Sequence, residues 1–218
     1  MQQHFSLDQI QTRLYTAVIS DVLDQVGCLG QVAAPGLRPV AENMTLAGYA
    51  RTARAVVVNR APEDPYAKLL EAIDRMTSMD VLVIAVDPFS HSAIFGGLLA
   101  TAVKAAGGRG VVIDGFARDA SELRQLGLPT FARGLVPLDS YGRDEVVEID
   151  QQVTISGIPV RSGDLVFADS DGLVVVPSEL ESIVVERALA KMAGEGEVRQ
   201  ALRDGMKTVD AFAKYGIL

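Results

Sequence analysis

Apolar positions recur along this chain at two spacings, and the alternation between them sets the expected architecture. In SLDQIQTRLYTAVISDVLDQVG, Leu7, Ile10, Leu14 and Val18, then Val22, Leu23 and Val26, fall at helical spacing, and Gly27 closes the run. One or two amphipathic helices are expected there. AGYARTARAVVVN and DVLVIAV read as strands, the second apolar almost throughout, as in a strand covered on both faces. Between them PYAKLLEAIDRM predicts a helix beginning at its proline. A helix over Leu98–Ala106 follows, with Leu98, Leu99, Ala102, Val103 and Ala106 as the stripe expected to pack on the sheet. The strand GVVID, the helix DASELRQLG and the short strand TFARG come next, and strands alternating with helices indicate an α/β core. Leu138 to Asp150, LDSYGRDEVVEID, reads as a solvated loop laced with salt bridges, Glu145 and Glu148 among them. From Asp150 to Pro177 short strands broken by Gly and Pro predict a β-rich layer, and from Ser178 the pattern is helical to the end.

Composition narrows the class. A chain of 218 residues that is 49% hydrophobic can bury a full core, and no linker-like stretch divides it, so one domain over 1–218 is expected. The net charge of −8, with no clustered Lys or Arg, argues against a nucleic-acid partner. No apolar run reaches the length of a membrane span, and MQQHFSLDQI lacks the charged and apolar regions of a signal peptide. Cys28 stands alone, which excludes an intrachain disulfide and suits a reducing compartment; cytoplasm is the expected location.

The densest candidate chemistry lies in GGLLATAVKAAGGRGVVIDGFARDASEL, Gly96 to Leu123. Gly96-Gly97 opens a helix, where free N–H groups favour a carboxylate or phosphate and the missing side chains admit a close ligand. A tight turn is the plainer reading of the same pair. Arg118 and Asp119 follow a strand end, the place where α/β sheets bind ligands, so an acceptor-only carboxylate and a five-donor guanidinium there suit a metal and an oxo acid. Asp119 or Ser121 would otherwise cap the next helix. Lys104 lies opposite the apolar stripe and reads as solvated rather than as a Schiff-base lysine. His91 reads as a loop residue, with proton donation as its alternative, and His4 as a solvated terminal residue. Cys28 follows a helix-ending glycine and reads as a packed small side chain. Zinc-ligand spacings are missing, and so is the strand–GxGxxG–helix opening of a nucleotide-cofactor or methyltransferase fold. Arg143 is a candidate reader of a distal carboxylate.

The stretch Gly96 to Gly134, centred on DGFARDASELRQLGLPTFARG, resembles the family that contains 4-hydroxy-4-methyl-2-oxoglutarate aldolases and the regulators of ribonuclease activity A. SDVLDQVG, AGYARTARAV, VRSGDLVFADSDGLVVVP and AFAKYGIL extend the resemblance over nearly the whole chain. Its most specific element is an Arg-Asp pair with an acidic residue three positions on, Arg118, Asp119 and Glu122, after a GLLAT helix start. The resemblance implies a layered α-β-β-α sandwich-like domain with C-terminal helices, assembled as a homotrimer or homohexamer. It also implies a divalent cation, Mg²⁺, Mn²⁺ or another, held directly by Asp119 and otherwise by waters. The pyruvoyl part of a 2-oxo acid would be bound by Arg118 and the backbone at Gly96, Gly97, Leu98 and Leu99. A carboxylate from a neighbouring subunit would stand beside the metal's waters, and Glu195 matches that position better than Glu197; the plainer reading places both glutamates at a solvated helix start. Aldolases of the family typically carry an acidic residue where this chain has Gly97, a departure that bears on the substrate more than on the metal–oxo-acid chemistry. Regulators commonly lack the Asp after the Arg, so Asp119 favours an enzyme. The expected activity is metal-dependent retro-aldol cleavage of a 4-hydroxy-2-oxo acid to pyruvate, or oxaloacetate decarboxylation, through a metal-stabilised enolate. A non-catalytic protein-binding regulator, and a hydratase or dehydratase on the same metal site, are the alternatives.

Overall fold

A computed structural model describes residues 5–216; His4 lies outside them. Two short helices come first, α1 (Leu7–Arg13) and α2 (Thr16–Gln25). The two-residue β1 (Arg38–Pro39) and the long β2 (Leu46–Val57) lead to α3 (Ala67–Asp74), β3 (Asp80–Val86) and β4 (Ala93–Phe95). The alternation continues through α4 (Gly97–Ala105), β5 (Gly110–Ala117), α5 (Ala120–Leu126) and β6 (Thr130–Leu135). Then come β7 (Asp144–Ile149), β8 (Val153–Ile155), β9 (Ile158–Val160), β10 (Leu165–Asp169) and β11 (Gly172–Val176). A 3₁₀ turn at Ser178–Leu180 enters α6 (Glu181–Arg203), and α7 (Thr208–Tyr215) follows it.

One sheet runs β1-β6-β5-β3-β2-β10-β11, with β4 added beside β5 and β7 beside β2, while β8 and β9 form a separate hairpin. The links β2–β3, β3–β5 and β5–β6 are parallel, and β10 joins β2 antiparallel. Alternation along β3 shows how the sheet is covered. Leu82, Ile84 and Val86 pack in a cluster with Leu69 and Ile73 of α3, Val103 of α4 and Leu123 of α5. Val81, Val83 and Ala85 face the other way, into a cluster with Phe131, Val166, Val175 and the hairpin residues Val153, Ile155, Ile158 and Val160. On β10 the outward residues Leu165 and Phe167 instead meet α1, α2 and α6 through Ile10, Val18, Val22, Val184 and Ala188. The sheet thus curls around an inner core with helices outside both ends, a layered mixed α/β fold. Full burial of each such Ile, Leu or Phe contributes about 1.5–3 kcal/mol.

Local chemistry sets the boundaries. Ser6 and Gln9 form a reciprocal capping box on α1. The first turn of α2 has no cap of its own; Asp169, at the end of β10, accepts from the Thr16 N–H at 2.8 Å and its hydroxyl at 2.7 Å. Two expectations are corrected. α3 begins not at Pro65 but after Tyr66, which takes a left-handed φ of 66° as the N-cap. The second half of Leu138–Asp150 is a strand, β7, paired antiparallel with β2. Val146 is buried there, while Glu148 reaches Arg54 at 2.8 Å. That pair is the salt bridge expected of the segment, carried on a strand instead of a loop.

Candidate functional site

The site is built where β4 and β5 end beside the start of α4. Past the last residue of β5, the Arg118 N–H donates to the Phe95 carbonyl at 2.9 Å, which fixes the chain as it leaves the sheet. Asp119 then takes a left-handed backbone, φ 60°. That conformation is uncommon outside glycine, with Asp and Asn the usual exceptions. It turns the Asp119 carboxylate away from α5, which receives no side-chain cap, and towards α4, where Oδ2 accepts the Gly97 N–H at 3.0 Å. Asp119 thus holds the N-cap position of α5, as expected, but makes no capping side-chain hydrogen bond there; its carboxylate serves the neighbouring helix.

The glycine pair is required by close approach. Neither Gly96 nor Gly97 has a positive φ. A Cβ on residue 96 would lie 2.5 Å from Asp119 Oδ2, and one on residue 97 would lie 1.8 Å from Glu122 Oε2. Two carboxylates thus occupy the space that side chains would fill, and the Glu122 carboxylate stands against the position where an acidic residue was expected and Gly97 is found.

The stripe expected on α4 is also corrected. Its buried face is Gly97, Ala100 and Val103, with Leu99 partly buried beside them, while Leu98 is 87% exposed and Ala102 and Ala106 are exposed. Packing of Gly97 against the Asp119–Glu122 turn rotates the helix so that Leu98 faces the cleft.

That cleft is a cavity of about 380 Å³ lined by Tyr66, Leu70, Ile94, Leu98, Leu99, Ala102, Arg118, Asp119, Asp139 and Ser140, with Gly96 at its edge. Arg118 lies between two carboxylates, its Nε 3.8 Å from Asp119 Oδ2 and its Nη1 3.4 Å from Asp139 Oδ1. The Tyr66 hydroxyl donates to Asp139 Oδ2 at 3.2 Å. Burial first, then the Asp139 carboxylate, push the Tyr66 phenol above its ordinary pKa, so it stays a protonated donor. The loop bearing Asp139 is pinned from beneath. Ser140 O accepts the N–H groups of Arg143 and Asp144, and the buried Asp144 carboxylate accepts from Ser90 Oγ at 2.6 Å and from Ser92 Oγ.

Of the residues singled out from sequence, Gly96, Gly97, Leu98, Leu99, Arg118 and Asp119 come together here. Glu195 does not line this cavity. It lies within α6 rather than at a helix start, accepts from the Tyr15 hydroxyl, and has Arg199 Nη2 at 3.8 Å. Glu197 is exposed on the same helix. Arg143 donates to the carbonyls of Asp139 at 3.1 Å and Tyr141 at 3.3 Å, clipping its own turn. Lys104 is exposed and donates to Leu126 O. His91 is exposed, and Cys28 packs half-buried against the α1–α2–α6 cluster. Tyr66, Asp139 and Ser140 were not found by sequence reasoning, because no spacing ties them to Arg118.

The donor chemistry bears on a metal. Among the described residues there is no group of three or more His, Cys, Asp or Glu side chains able to hold an ion. What the cleft offers is a carboxylate, Asp119, whose Oδ1 takes no hydrogen bond among the described residues, with hard oxygen of Glu122 nearby. One carboxylate and several waters is an ordinary arrangement for Mg²⁺, which dehydrates reluctantly, and no arrangement for structural zinc.

Comparison with known proteins places these residues in context. Residues 16–175 match the family model described as RraA-like, Aldolase/RraA. A Halalkalibacterium halodurans protein provisionally named 4-hydroxy-4-methyl-2-oxoglutarate aldolase is 30% identical over 197 residues, covering 90% of this chain and 89% of its own. A Deinococcus radiodurans protein with the same provisional name is 34% identical, covering 75% of this chain and 95% of its own. The crystal structure of Streptomyces coelicolor RraAS2, described as an unusual member of the RNase ES inhibitor RraA family, superposes with a TM-score of 0.79 at 28% identity, covering 89% of this chain and 96% of that one.

Proposed function

This chain belongs to the RraA-like family of aldolases and RraA proteins, and from that membership we propose that it is a divalent-metal-dependent carbon–carbon lyase acting on a 2-oxo acid. The observation that carries the reading is the convergence of Arg118, Asp119 and the start of α4 on one end of a single cavity. Gly97 N–H is taken by Asp119, whereas the N–H groups of Leu98 and Leu99 are first-turn donors with no partner inside the helix. They and the Arg118 guanidinium suit the carboxylate of a 2-oxo acid, the guanidinium offering a planar two-point contact. Asp119 would hold the cation; Mg²⁺ or Mn²⁺ bound there would supply a Lewis acid for the charge that develops on the keto oxygen. Arg118 adds fixed positive charge beside the same oxygen. In retro-aldol cleavage the C3–C4 bond breaks, its electron pair passes towards the 2-oxo group, C4 becomes a carbonyl, the 4-hydroxyl proton leaves through water, and C3 of the resulting enolate takes a proton from water to give pyruvate. Decarboxylation of oxaloacetate uses the same electron flow with CO₂ as the leaving fragment.

The test is pyruvate release from a panel of 4-hydroxy-2-oxo acids and oxaloacetate, with Mg²⁺ or Mn²⁺ and with chelator. Turnover should require metal and should fall to background in Asp119→Asn, which keeps the shape but replaces a hard anionic ligand by an amide. Full activity in that variant removes Asp119 from the metal. The likeness to RraAS2 supports a second reading, a non-catalytic protein-binding regulator on the same fold. Failure of every 2-oxo acid in the presence of metal would favour it. Products without C–C cleavage would point to a hydratase.

A further inference from the structure

We infer that the distal half of the cavity selects 4-hydroxy-2-oxo acids with a single carboxylate and an apolar tail over dicarboxylates, and that Asp139 sets this preference. The inference rests on the lyase reading and concerns the substrate's other end.

Charge is the first argument. The residues lining the cavity include one cation, Arg118, and two carboxylates, Asp119 and Asp139. The lining therefore holds an excess of negative charge, to which the Glu122 carboxylate beside Asp119 adds, and a dicarboxylate brings one more negative charge into it than a monocarboxylate does. Arg143, close by in sequence, is not among the residues lining the cavity, and its Nη1 donates to the carbonyls of Asp139 and Tyr141. A second carboxylate entering beyond Arg118 would meet Asp139 and no second guanidinium among the lining residues.

The apolar wall is the second argument. Leu70, Ile94, Leu98 and Ala102 face the same cavity, and Leu98 and Leu70 are 87% and 44% exposed. A hydrocarbon tail laid on that wall removes apolar surface from water on both partners, whereas a carboxylate would lose hydration there without a hydrogen-bond donor. Between tail and keto group lies the substrate's 4-hydroxyl. The Tyr66–Asp139 pair supplies a phenolic oxygen and a carboxylate oxygen to receive that hydroxyl, and each is an acceptor.

The experiment compares kcat/KM for 4-hydroxy-2-oxohexanoate, which yields pyruvate and propanal, with that for 4-hydroxy-2-oxoglutarate, which yields pyruvate and glyoxylate, both in Mg²⁺. The hexanoate should be preferred by about tenfold or more. Asp139→Asn removes the repelling charge, and Leu98→Arg, at a position 87% exposed, adds a cation to the apolar wall. Each should move the ratio about tenfold towards the dicarboxylate, and the ratio is unaffected by a uniform loss of active protein. A wild-type preference for the dicarboxylate, or a ratio that Asp139→Asn does not move, overturns this inference and leaves the lyase reading standing. No pyruvate from either substrate overturns this inference, and the lyase reading falls with it only when oxaloacetate and the rest of the panel fail as well.

Discussion

Gly96 and Gly110 show how differently two glycines can be required. At Gly96 the atoms in the way are side-chain atoms, Asp119 Oδ2 at 2.5 Å and Arg118 Cγ at 3.0 Å. At Gly110 the obstacle is backbone, the Pro129 carbonyl at 2.4 Å, and φ is +159°. An alanine at 96 is therefore expected to push the Asp119 carboxylate off the Gly97 N–H, with a loss of about 1 kcal/mol or less in stability but about 10–100-fold in turnover. An alanine at 110 meets a strand that cannot withdraw, and its cost belongs to stability. Thermal denaturation and pyruvate release measured on both variants separate the cases; a Gly96→Ala enzyme with unchanged turnover would show that Asp119 needs no fixed position.

The long helix α6 is tied to the rest of the fold by two half-buried tyrosines. Tyr15 donates to Glu195, and Tyr49 of β2 donates to Glu181 at 2.8 Å. Burial first, then these carboxylate partners, push both phenols up to about 12 from the ordinary tyrosine value near 10. The folded state thus holds protons that the unfolded chain releases near pH 10, so the stabilisation is complete below that pH and is lost as pH rises from 10 to 12. Alkaline unfolding followed by circular dichroism should be steep in this window, and Tyr15→Phe with Tyr49→Phe should flatten it. A slope unchanged in the double variant would assign alkaline unfolding to other groups. Legibility from sequence also divides by element. The start of α4 and the end of β5 could be read because a glycine pair and an Arg-Asp after an apolar run are local signals. The face of α4 could not, since Leu98, Leu99, Ala100, Ala102 and Val103 are apolar nearly all round and give the periodicity no phase. Strand β7 was hidden by Asp144, Glu145 and Glu148, since Ser90 and Arg54, the partners of Asp144 and Glu148, lie far off in sequence where no window contains them. Tyr66 and Asp139 reach Arg118 only through the tertiary fold.

At the scale of the whole molecule, the cavity and Glu195 belong to different layers: the cavity beside the cluster of α3, α4 and α5, and Glu195 on α6 with the β10–β11 end. If Glu195 serves a lyase site, it serves that of a second copy. Asp119→Asn and Glu195→Gln subunits, each inactive alone, should then regain part of the activity when co-expressed, because some mixed contacts pair an intact Asp119 with an intact Glu195. Mixed assemblies verified by mass that stay inactive would rule out a shared site. The two layers are nevertheless joined through one strand. β2 pairs with β3 from Tyr49 to Ala55, while its opposite edge is divided between β10, over Leu46–Tyr49, and β7, over Ala53–Val57. A strand so divided acts as a common spine, and releasing it would uncover the helices at both ends together. Because this one strand carries both layers of the described residues, the ligand cleft and the distant helices are expected to melt in one cooperative transition.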